Sequence, residues 1–218
     1  MTATRPPRFP RGGLRELEAA ALEPESTYRG VVIEGGRVPA HLHAVALEGC
    51  VLRDVDLRDV AWTLVRLSDV RLEGCDLSAA RLTDAALTRV EIRGGRMLGT
   101  QLPQVIVKDV RLTGVTAPFS LWNGAQATRL HVRECDLTDA VFTGAALPGV
   151  VLRGCVLTRT EFHRATLTGA DLRGCDLRGI ALGLPELAGV TVEEGQLASL
   201  ARFLGVTVAE PPLDDTQD

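Results

Sequence analysis

The five cysteines and four histidines are the residues of this 218-residue chain whose side chains could bind a metal or carry redox chemistry. Cys75, Cys135, Cys155 and Cys175 are separated by multiples of 20 residues, and Cys50 stands apart from that series. Regularly spaced thiols could form a metal or redox ladder, or they could be small apolar residues that fill a narrow interior. We favour the second interpretation, because no two cysteines form a CxxC pair. Their odd number favours a reducing compartment over a disulfide framework.

Sequence motifs for catalysis are missing from the chain. It contains no P-loop, no GxSxG and no HExxH. We therefore predict that the protein is not an enzyme and that it binds no cofactor and no metal. No apolar run approaches the length of a membrane-spanning helix, and the opening MTATRPPRFPRGG does not resemble a secretory signal. The sequence predicts a cytoplasmic protein.

A five-residue register organises most of the chain. A large apolar residue recurs at every fifth position from Leu42 to Leu182 with no insertion or deletion, and 19 of these 29 centres are Leu. The position two residues before each centre is small and mostly apolar, and all five cysteines fall there. The other three positions are mostly polar. A helix of 3.6 residues per turn would lose this phase, so each unit is predicted to bury one large and one small side chain.

The phrases ADLRG at residues 170–174 and CDLRG at 175–179 carry a resemblance to a known family. The pattern A(D/N)LxG resembles the signature of pentapeptide repeat proteins, and it covers about two thirds of the chain. The resemblance implies an all-β solenoid, a right-handed quadrilateral β-helix of about seven coils in which four units make one 20-residue coil. In such a coil, residues 20 apart stack, which would place Cys75, Cys135, Cys155 and Cys175 in one interior column.

The same count of 20 bears on the histidines. His41 and His43 share a side with His163, but six coils, or about 29 Å, separate them at the spacing of neighbouring strands. His131 lies elsewhere in the register. A metal site made from these four histidines is therefore not expected.

The segments outside the repeats predict the domain organisation. Residues 1–12 and 209–218 are expected to be disordered, because they are rich in Pro, Arg or Asp. Residues 13–39 are assigned to an N-terminal cap and first strand, with LRELEAAAL at residues 14–22 as a weak helical candidate. The β-helix covers 40–184. Residues 185–208 are predicted to form a C-terminal cap with a helix at about 193–204.

The predicted cap helix has an apolar stripe of Leu197, Leu200, Ala201 and Leu204, with which it is expected to cover the last coil. The resemblance implies that such an end often also mediates dimers, so Leu197, Leu200 and Leu204 are the candidate dimer contact. We therefore expect a homodimer.

One stretch of the register is weak. Across residues 115–130 the centres become Ala117, Trp122 and Ala127, although the spacing of five is kept. Two interpretations remain open, and we favour the first. Trp122 could lie inside a repacked coil, or the rod could kink there and expose a contact made by Phe119 and Leu121.

Charge is distributed unevenly. Residues 40–184 contain 17 Lys or Arg and 16 Asp or Glu, whereas residues 185–218 contain one Arg and seven acids. By the count of 20, one side of the coil is mildly acidic and another carries an arginine ladder. The acidic residues are Asp56, Asp59, Asp76, Asp136, Asp139 and Asp176, and the ladder is Arg53, Arg93, Arg133, Arg153 and Arg173. Both sets are candidate interaction surfaces.

The resemblance implies a possible partner. The best-known activity in the family belongs to its quinolone-resistance branch, whose members resemble DNA in size and charge and bind DNA gyrase in its place. Opposed acidic and basic stripes do not imitate uniform phosphate charge, which disfavours DNA mimicry here. We predict a non-enzymatic protein-binding rod, with DNA gyrase as the leading named partner and an effect on quinolone or toxin sensitivity. The alternative is a scaffold or regulator of another bacterial pathway. Direct nucleic-acid binding by the arginine ladder is disfavoured, because neighbouring acids dilute it.

Overall fold

The fold is a solenoid of parallel β-strands, described by a computed structural model for residues 3–201 and 203. About seven turns form a right-handed quadrilateral β-helix, with short helical elements at its C-terminal end. The strands are β1 (Arg15–Glu16), β2 (Thr27–Arg29), β3 (Val31–Glu34), β4 (His41–His43), β5 (Ala46–Glu48), β6 (Val51–Arg53), β7 (Ala61–Thr63), β8 (Arg66–Glu73), β9 (Arg81–Thr83), β10 (Ala86–Arg93), β11 (Ile106–Thr113), β12 (Gln126–Arg133) and β13 (Val151–Arg153).

Strand pairing fixes the length of a coil. Every pair is parallel, and the partners are 20 residues apart from His41 paired with Ala61 to Asp171 paired with Thr191. Before that register begins, the offset is 16 between β1 and β3, as in Arg15 paired with Val31, and then 19, as in Val32 paired with Val51. The eight-residue strands β8, β10, β11 and β12 each turn one corner, so two adjacent faces of the square form one sheet. The uniform offset confirms the expected four-sided coil.

The interior is filled by the two residues that the register assigns to it. Leu72, Leu112 and Leu152 point inward and are buried, as are all five cysteines. An internal void of about 10 Å³ lies between side chains that include Leu112 and Trp122, which is barely room for one water molecule. Burial against neighbouring coils therefore takes the place of a conventional core.

The weak stretch at residues 115–130 keeps the register and stays in the rod. Trp122 is buried and begins a column of stacked rings, with Phe142 at 5.8 Å and Phe162 a further 5.1 Å away. Its indole nitrogen donates a hydrogen bond to Ser120 Oγ at 3.0 Å. Phe119 is 55 % exposed at the adjacent corner. The coil is therefore repacked inside, as the first interpretation expects; Leu121 keeps the 20-residue register and is half-buried, and Phe119 faces solvent.

The corners of the square adopt the left-handed backbone region. The glycines that recur two residues after the centre on one face, such as Gly114 with φ of +63°, all lie there. Corners elsewhere hold other residue types in the same conformation, including Asp69, Asp109 and Asp139. Aspartate tolerates this region better than most residues, because its short side chain can hydrogen-bond locally.

Gly114→Ala is expected to lower the free energy of unfolding by about 1–2 kcal/mol, because an L-residue is strained at this φ. No heavy atom lies within 4 Å of the added methyl group, so the cost isolates backbone strain from packing. Gly195→Ala is the control, since Gly195 also has open space but not a positive φ. Urea denaturation of both variants measures the difference, and equal stabilities would contradict the explanation.

The N-terminal region departs from two sequence expectations. Residues 3–12, expected to be disordered, instead make defined contacts: the backbone N–H groups of Arg5 and Arg8 donate to Asp109 and Asp69. Prolines reduce the entropy that such a segment loses on ordering, and the two carboxylates accept its free N–H groups. Residues 14–22 form β1 and a single 3₁₀ turn at Ala19–Ala21 in place of a helix.

The C-terminal cap is made of short pieces. Helix α1 covers Leu184–Leu187, a 3₁₀ turn covers Glu194–Gln196, and helix α2 covers Leu197–Ala201. The predicted helix at 193–204 extends past the described residues, and the tail at 209–218 lies outside them. The Gln196 side-chain amide donates to the carbonyls of Leu172 and Cys175, at 2.9 and 2.7 Å. Gln196 thereby satisfies acceptors on the open edge of the last coil.

Candidate functional site

The aspartate of the repeat phrase has a structural role that links side chain and backbone. In Asp171-Leu172-Arg173, a carboxylate oxygen of Asp171 accepts the backbone N–H of Arg173, two residues on. The same bond recurs after Asp56, Asp76, Asp136 and Asp176, at 2.9–3.1 Å. Aspartate favours this local bond, which fixes the corner that follows each centre.

The six aspartates proposed as an acidic surface do lie on one face and its corner, but their charges are largely engaged. Asp56 pairs with Arg58, Asp176 with Arg178, and Asp139 with Arg159. Asp76 and Asp136 receive N–H groups from Ser78 and Thr138. No side-chain partner is seen for Asp59 among the described residues. This face is therefore a mixed ion-pair surface rather than a uniform row of negative charge.

The arginine ladder forms one column on the neighbouring face. Strand register pairs Arg53 with Glu73, Glu73 with Arg93, and Arg133 with Arg153, each one coil apart. Arg173 follows at the next coil by the same offset of 20 residues. The five arginines therefore share one column, in which Glu73 lies between Arg53 and Arg93 and Thr113 lies between Arg93 and Arg133.

Carboxylates beneath the ladder hold it in place. Asp171 is buried and accepts hydrogen bonds from both Arg153 and Arg173. Glu91 is also buried and pairs with Arg71, Arg93 and Arg111. Around Glu91 and Asp171 the acids lie below partly exposed guanidinium groups, so solvent meets mainly positive charge there, whereas Arg53 pairs with the more exposed Glu34 and Glu73. Sequence reasoning counted these acids against the arginines and missed the difference in depth.

Arg133 differs from the other members of the ladder. Within residues 3–201 it makes no ion pair or side-chain hydrogen bond, and its side chain is exposed. The guanidinium groups of Arg153 and Arg111 are oriented by Asp171 and Glu91 on the neighbouring coils. Arg133 is therefore the ladder position best able to form a new pair with an incoming anion.

The sulfur atoms of the cysteine column form hydrogen bonds with backbone groups. The Cys135 sulfur accepts the backbone N–H of Val115 at 3.4 Å, and Cys175 donates to the carbonyl of Leu152 at 3.1 Å. Burial raises the pKa of the Cys50 and Cys75 thiols. The neighbouring Cys155 thiol, together with burial, raises the pKa of Cys135 and Cys175. All four cysteines of the column lie in the buried core, where free cysteine packs as a small apolar residue.

The proposed dimer contact is only partly available. Leu197 is 55 % exposed, whereas Leu200 is 8 % exposed and packs into the core. Leu204 lies outside the described residues. Of the stripe that the sequence assigned to a dimer, Leu197 is the described member that faces solvent.

Paired aspartates make the fold sensitive to acid. The Arg129 guanidinium, by hydrogen bonding, lowers the pKa of Asp109 to about 2, and Arg173 and Arg153 hold the pKa of Asp171 far below its usual range. A lowered folded-state pKa stabilises the protein above the unfolded value of about 4 and loses that stabilisation as the pH falls toward the folded value.

The free energy of unfolding is therefore expected to be steady between about pH 5 and 7 and to fall between about pH 4 and 2. Urea denaturation at a series of pH values measures it. Asp109→Asn removes one of the responsible carboxyl groups and should flatten the profile in this window. An unchanged slope in that variant would contradict the assignment.

A family model described as pentapeptide repeats matches the chain in eight copies, at residues 66–102 and 135–174. These two segments are pentapeptide repeats. Pentapeptide repeat structures are also among its structural neighbours. A trypsin-treated variant of QnrB1, a plasmid-mediated fluoroquinolone resistance protein, is 17 % identical with a TM-score of 0.49, covering 81 % of this chain and 95 % of that one.

A second neighbour is HetL, a pentapeptide repeat protein involved in heterocyst differentiation regulation from the cyanobacterium Nostoc sp. strain PCC 7120. It is 22 % identical with a TM-score of 0.38, covering 84 % of this chain and 94 % of that one. Rfr23 from the cyanobacterium Cyanothece 51142 is 20 % identical with a TM-score of 0.28, covering 48 % and 88 %. No curated protein matches the chain. Among the described residues, no helix is long and apolar enough to cross a membrane.

Proposed function

We propose that this pentapeptide repeat protein is a non-enzymatic rod that binds a protein partner through its outer faces. The observation that carries the proposal is the column of half-exposed guanidinium groups along one face, supported from below by buried carboxylates. A packed interior leaves the chemistry of the molecule on its flat sides. Arginine is favoured at protein interfaces because its planar group stacks and pairs in fixed geometry.

DNA gyrase is the first partner to test, because the repeat phrase resembles the branch of the family that acts on this enzyme. Purified protein is added to gyrase supercoiling assays with and without a quinolone. The proposal of gyrase expects a change in supercoiling or in quinolone inhibition. If the protein has no effect at micromolar excess, gyrase is excluded as the partner. A pull-down from the native cytoplasm would then test the alternative, a scaffold or regulator of another pathway.

The arginine face has its own variant test. Arg133→Glu is expected to weaken partner binding about tenfold or more, because it reverses the charge of the one ladder side chain that is free to pair. Arg81→Glu is the matched control, since Arg81 is an exposed arginine on another face. Equal losses in the two variants would show that net charge, rather than this face, governs binding.

We also propose that two copies associate through the C-terminal cap and that the rod resides in the cytoplasm. The exposed side chain of Leu197 supports association through the cap. The five free cysteines support a reducing compartment such as the cytoplasm. Leu197→Asp is expected to convert a dimer to a monomer, measured by light scattering after gel filtration. Ile106→Asp is the control, because Ile106 is as exposed as Leu197 but lies on β11, away from the C-terminal cap. A monomeric wild-type chain would overturn the dimer proposal.

A further inference from the structure

One corner of the rod holds an extended peptide, formed by the chain's own residues 4–10, TRPPRFP. The backbone N–H of Arg5 donates to Asp109 at 3.1 Å and that of Arg8 donates to Asp69 at 2.9 Å. Thr4 is buried although it lies near the start of the described chain. We call this segment the strap and the corner beneath it the strap site.

The two receiving positions are built alike. Asp69 accepts hydrogen bonds from Nε and Nη2 of Arg89, and Asp109 accepts them from the same two atoms of Arg129. Each arginine lies one coil further along the rod. In both pairs the carboxylate oxygen that accepts the arginine Nε also accepts the strap N–H. The strap site therefore has two equivalent carboxylate acceptors, each oriented by an arginine of the rod itself.

The spacing of these acceptors fits a proline-rich peptide. Asp69 and Asp109 are two coils apart, about 9.6 Å at the spacing of parallel strands. Three residues of polyproline II helix, one full turn, advance about 9.3 Å and bring equivalent groups to the same side. Arg5 and Arg8 are three residues apart, and Pro6 and Pro7 between them have no N–H that needs an acceptor. The corner thus matches the repeat of an X-Pro-Pro-X peptide.

Both ends of the strap are held by arginines that share one buried acid. Arg111 donates to the Thr4 hydroxyl at 2.8 Å, and the Arg71 guanidinium lies 5.1 Å from the centre of the Phe9 ring. Both arginines also pair with Glu91. Pro10 then packs where Gly30 and Gly49 leave room, since a methyl group on Gly30 would come within 3.0 Å of it.

We propose that the strap site is a binding site for an extended proline-containing peptide of the form X-Pro-Pro-X-aromatic-Pro, and that a partner protein supplies such a segment when the strap leaves. The strap occupies the site from within the same chain and therefore competes with the partner. Residues 11–13, Arg-Gly-Gly, connect it to β1, and two consecutive glycines give the joint the freedom that release needs. This inference is independent of the arginine face and of gyrase.

The test uses the full chain with a weakened strap. Arg5→Pro and Arg8→Pro remove the two N–H donors while keeping the polyproline II preference, and Phe9→Ala removes the ring. The NMR chemical shifts of the Asp69 and Asp109 backbone amides, whose side chains accept the strap N–H groups, report whether the strap is released. A fluorescent peptide with the wild-type sequence of residues 3–12 is then titrated by anisotropy against the wild-type and triple-variant chains.

The triple variant is expected to bind the peptide at least about tenfold more tightly than the wild type, because the internal competitor is weakened. Adding Asp69→Ala and Asp109→Ala should reduce that affinity at least about tenfold. Adding Asp139→Ala should leave it unchanged, since Asp139 and Arg159 make the same kind of corner pair with no strap on it. Circular dichroism confirms that each variant is folded.

Three results would overturn the proposal. The first is NMR shifts that show release while the triple variant fails to bind the peptide. The second is equal loss of binding from Asp139→Ala and from the pair at Asp69 and Asp109. The third is a triple variant whose Asp69 and Asp109 shifts match those of the wild type, which would show that the N–H bonds and the ring do not hold the strap.

Discussion

Phe162→Ala is expected to lower the free energy of unfolding by about 3–5 kcal/mol, the largest single effect predicted for this chain. Phe162 is fully buried and ends the ring column that begins at Trp122, with its ring nearly parallel to that of Phe142. Removing the ring leaves a cavity that neighbouring coils cannot close, because their backbones are fixed by the ladder of hydrogen bonds on either side.

Phe119→Ala is the matched control for that variant. Phe119 lies in the same part of the rod but is mostly exposed, so its replacement should change stability by less than about 0.5 kcal/mol. Chemical denaturation of both variants measures the contrast. If the two variants lose equal stability, the ring column is not what holds these coils together.

Asp171→Ala is expected to cost about 2–3 kcal/mol, the second large effect. Its buried carboxylate accepts hydrogen bonds from Arg153, from Arg173 and from the Arg173 backbone, and bonds to charged groups exceed neutral ones in strength. The two arginines are about 40 % exposed and regain water when the acid is lost, which keeps the cost below that of a fully buried pair.

Asp176→Ala provides an internal comparison, because both aspartates belong to the same four-letter phrase, Asp-Leu-Arg-Gly. The Asp176–Arg178 pair is largely solvated, so its loss should cost less than about 1 kcal/mol. Thermal and urea unfolding measure the loss of stability in the two variants. A larger loss for Asp171→Ala shows that the burial of the aspartate, rather than its place in the phrase, determines the cost. Similar losses would mean that the local backbone bond, present at both positions, accounts for the whole effect.

The fold could be predicted from the sequence because its signal is repeated many times. Leu72, Leu112 and Leu152 occupy equivalent environments, so each unit adds independent support to the same two inward positions. A single deviation such as Trp122 could then be accommodated without losing the register. The aspartate in ADLRG was visible as well, although its bond to the N–H two residues on follows only from the backbone path.

The surface could not be predicted to the same degree. The 20-residue repeat tells which side chains share a face, but not how deeply each is buried or which ion pairs it forms. Asp171 and Asp176 are both followed by Leu-Arg-Gly, yet the first is buried and the second is partly exposed. The strap was missed for a related reason. A segment rich in Pro and Arg predicts disorder, whereas the acceptors that order it, Asp69 and Asp109, lie more than 60 residues away in the chain.

The constant offset between stacked residues from His41 onward makes the molecule's length adjustable in whole units. Excising any 20 consecutive residues inside the repeats would rejoin chemically equivalent positions, so Leu would again meet Leu and each corner would keep its turn. Excising five or ten would shift every later side by one or two faces, and it would rotate the cap and the arginines beyond the cut relative to those before it. Ruler-like proteins of graded reach could therefore arise from this gene by duplication or loss of single turns.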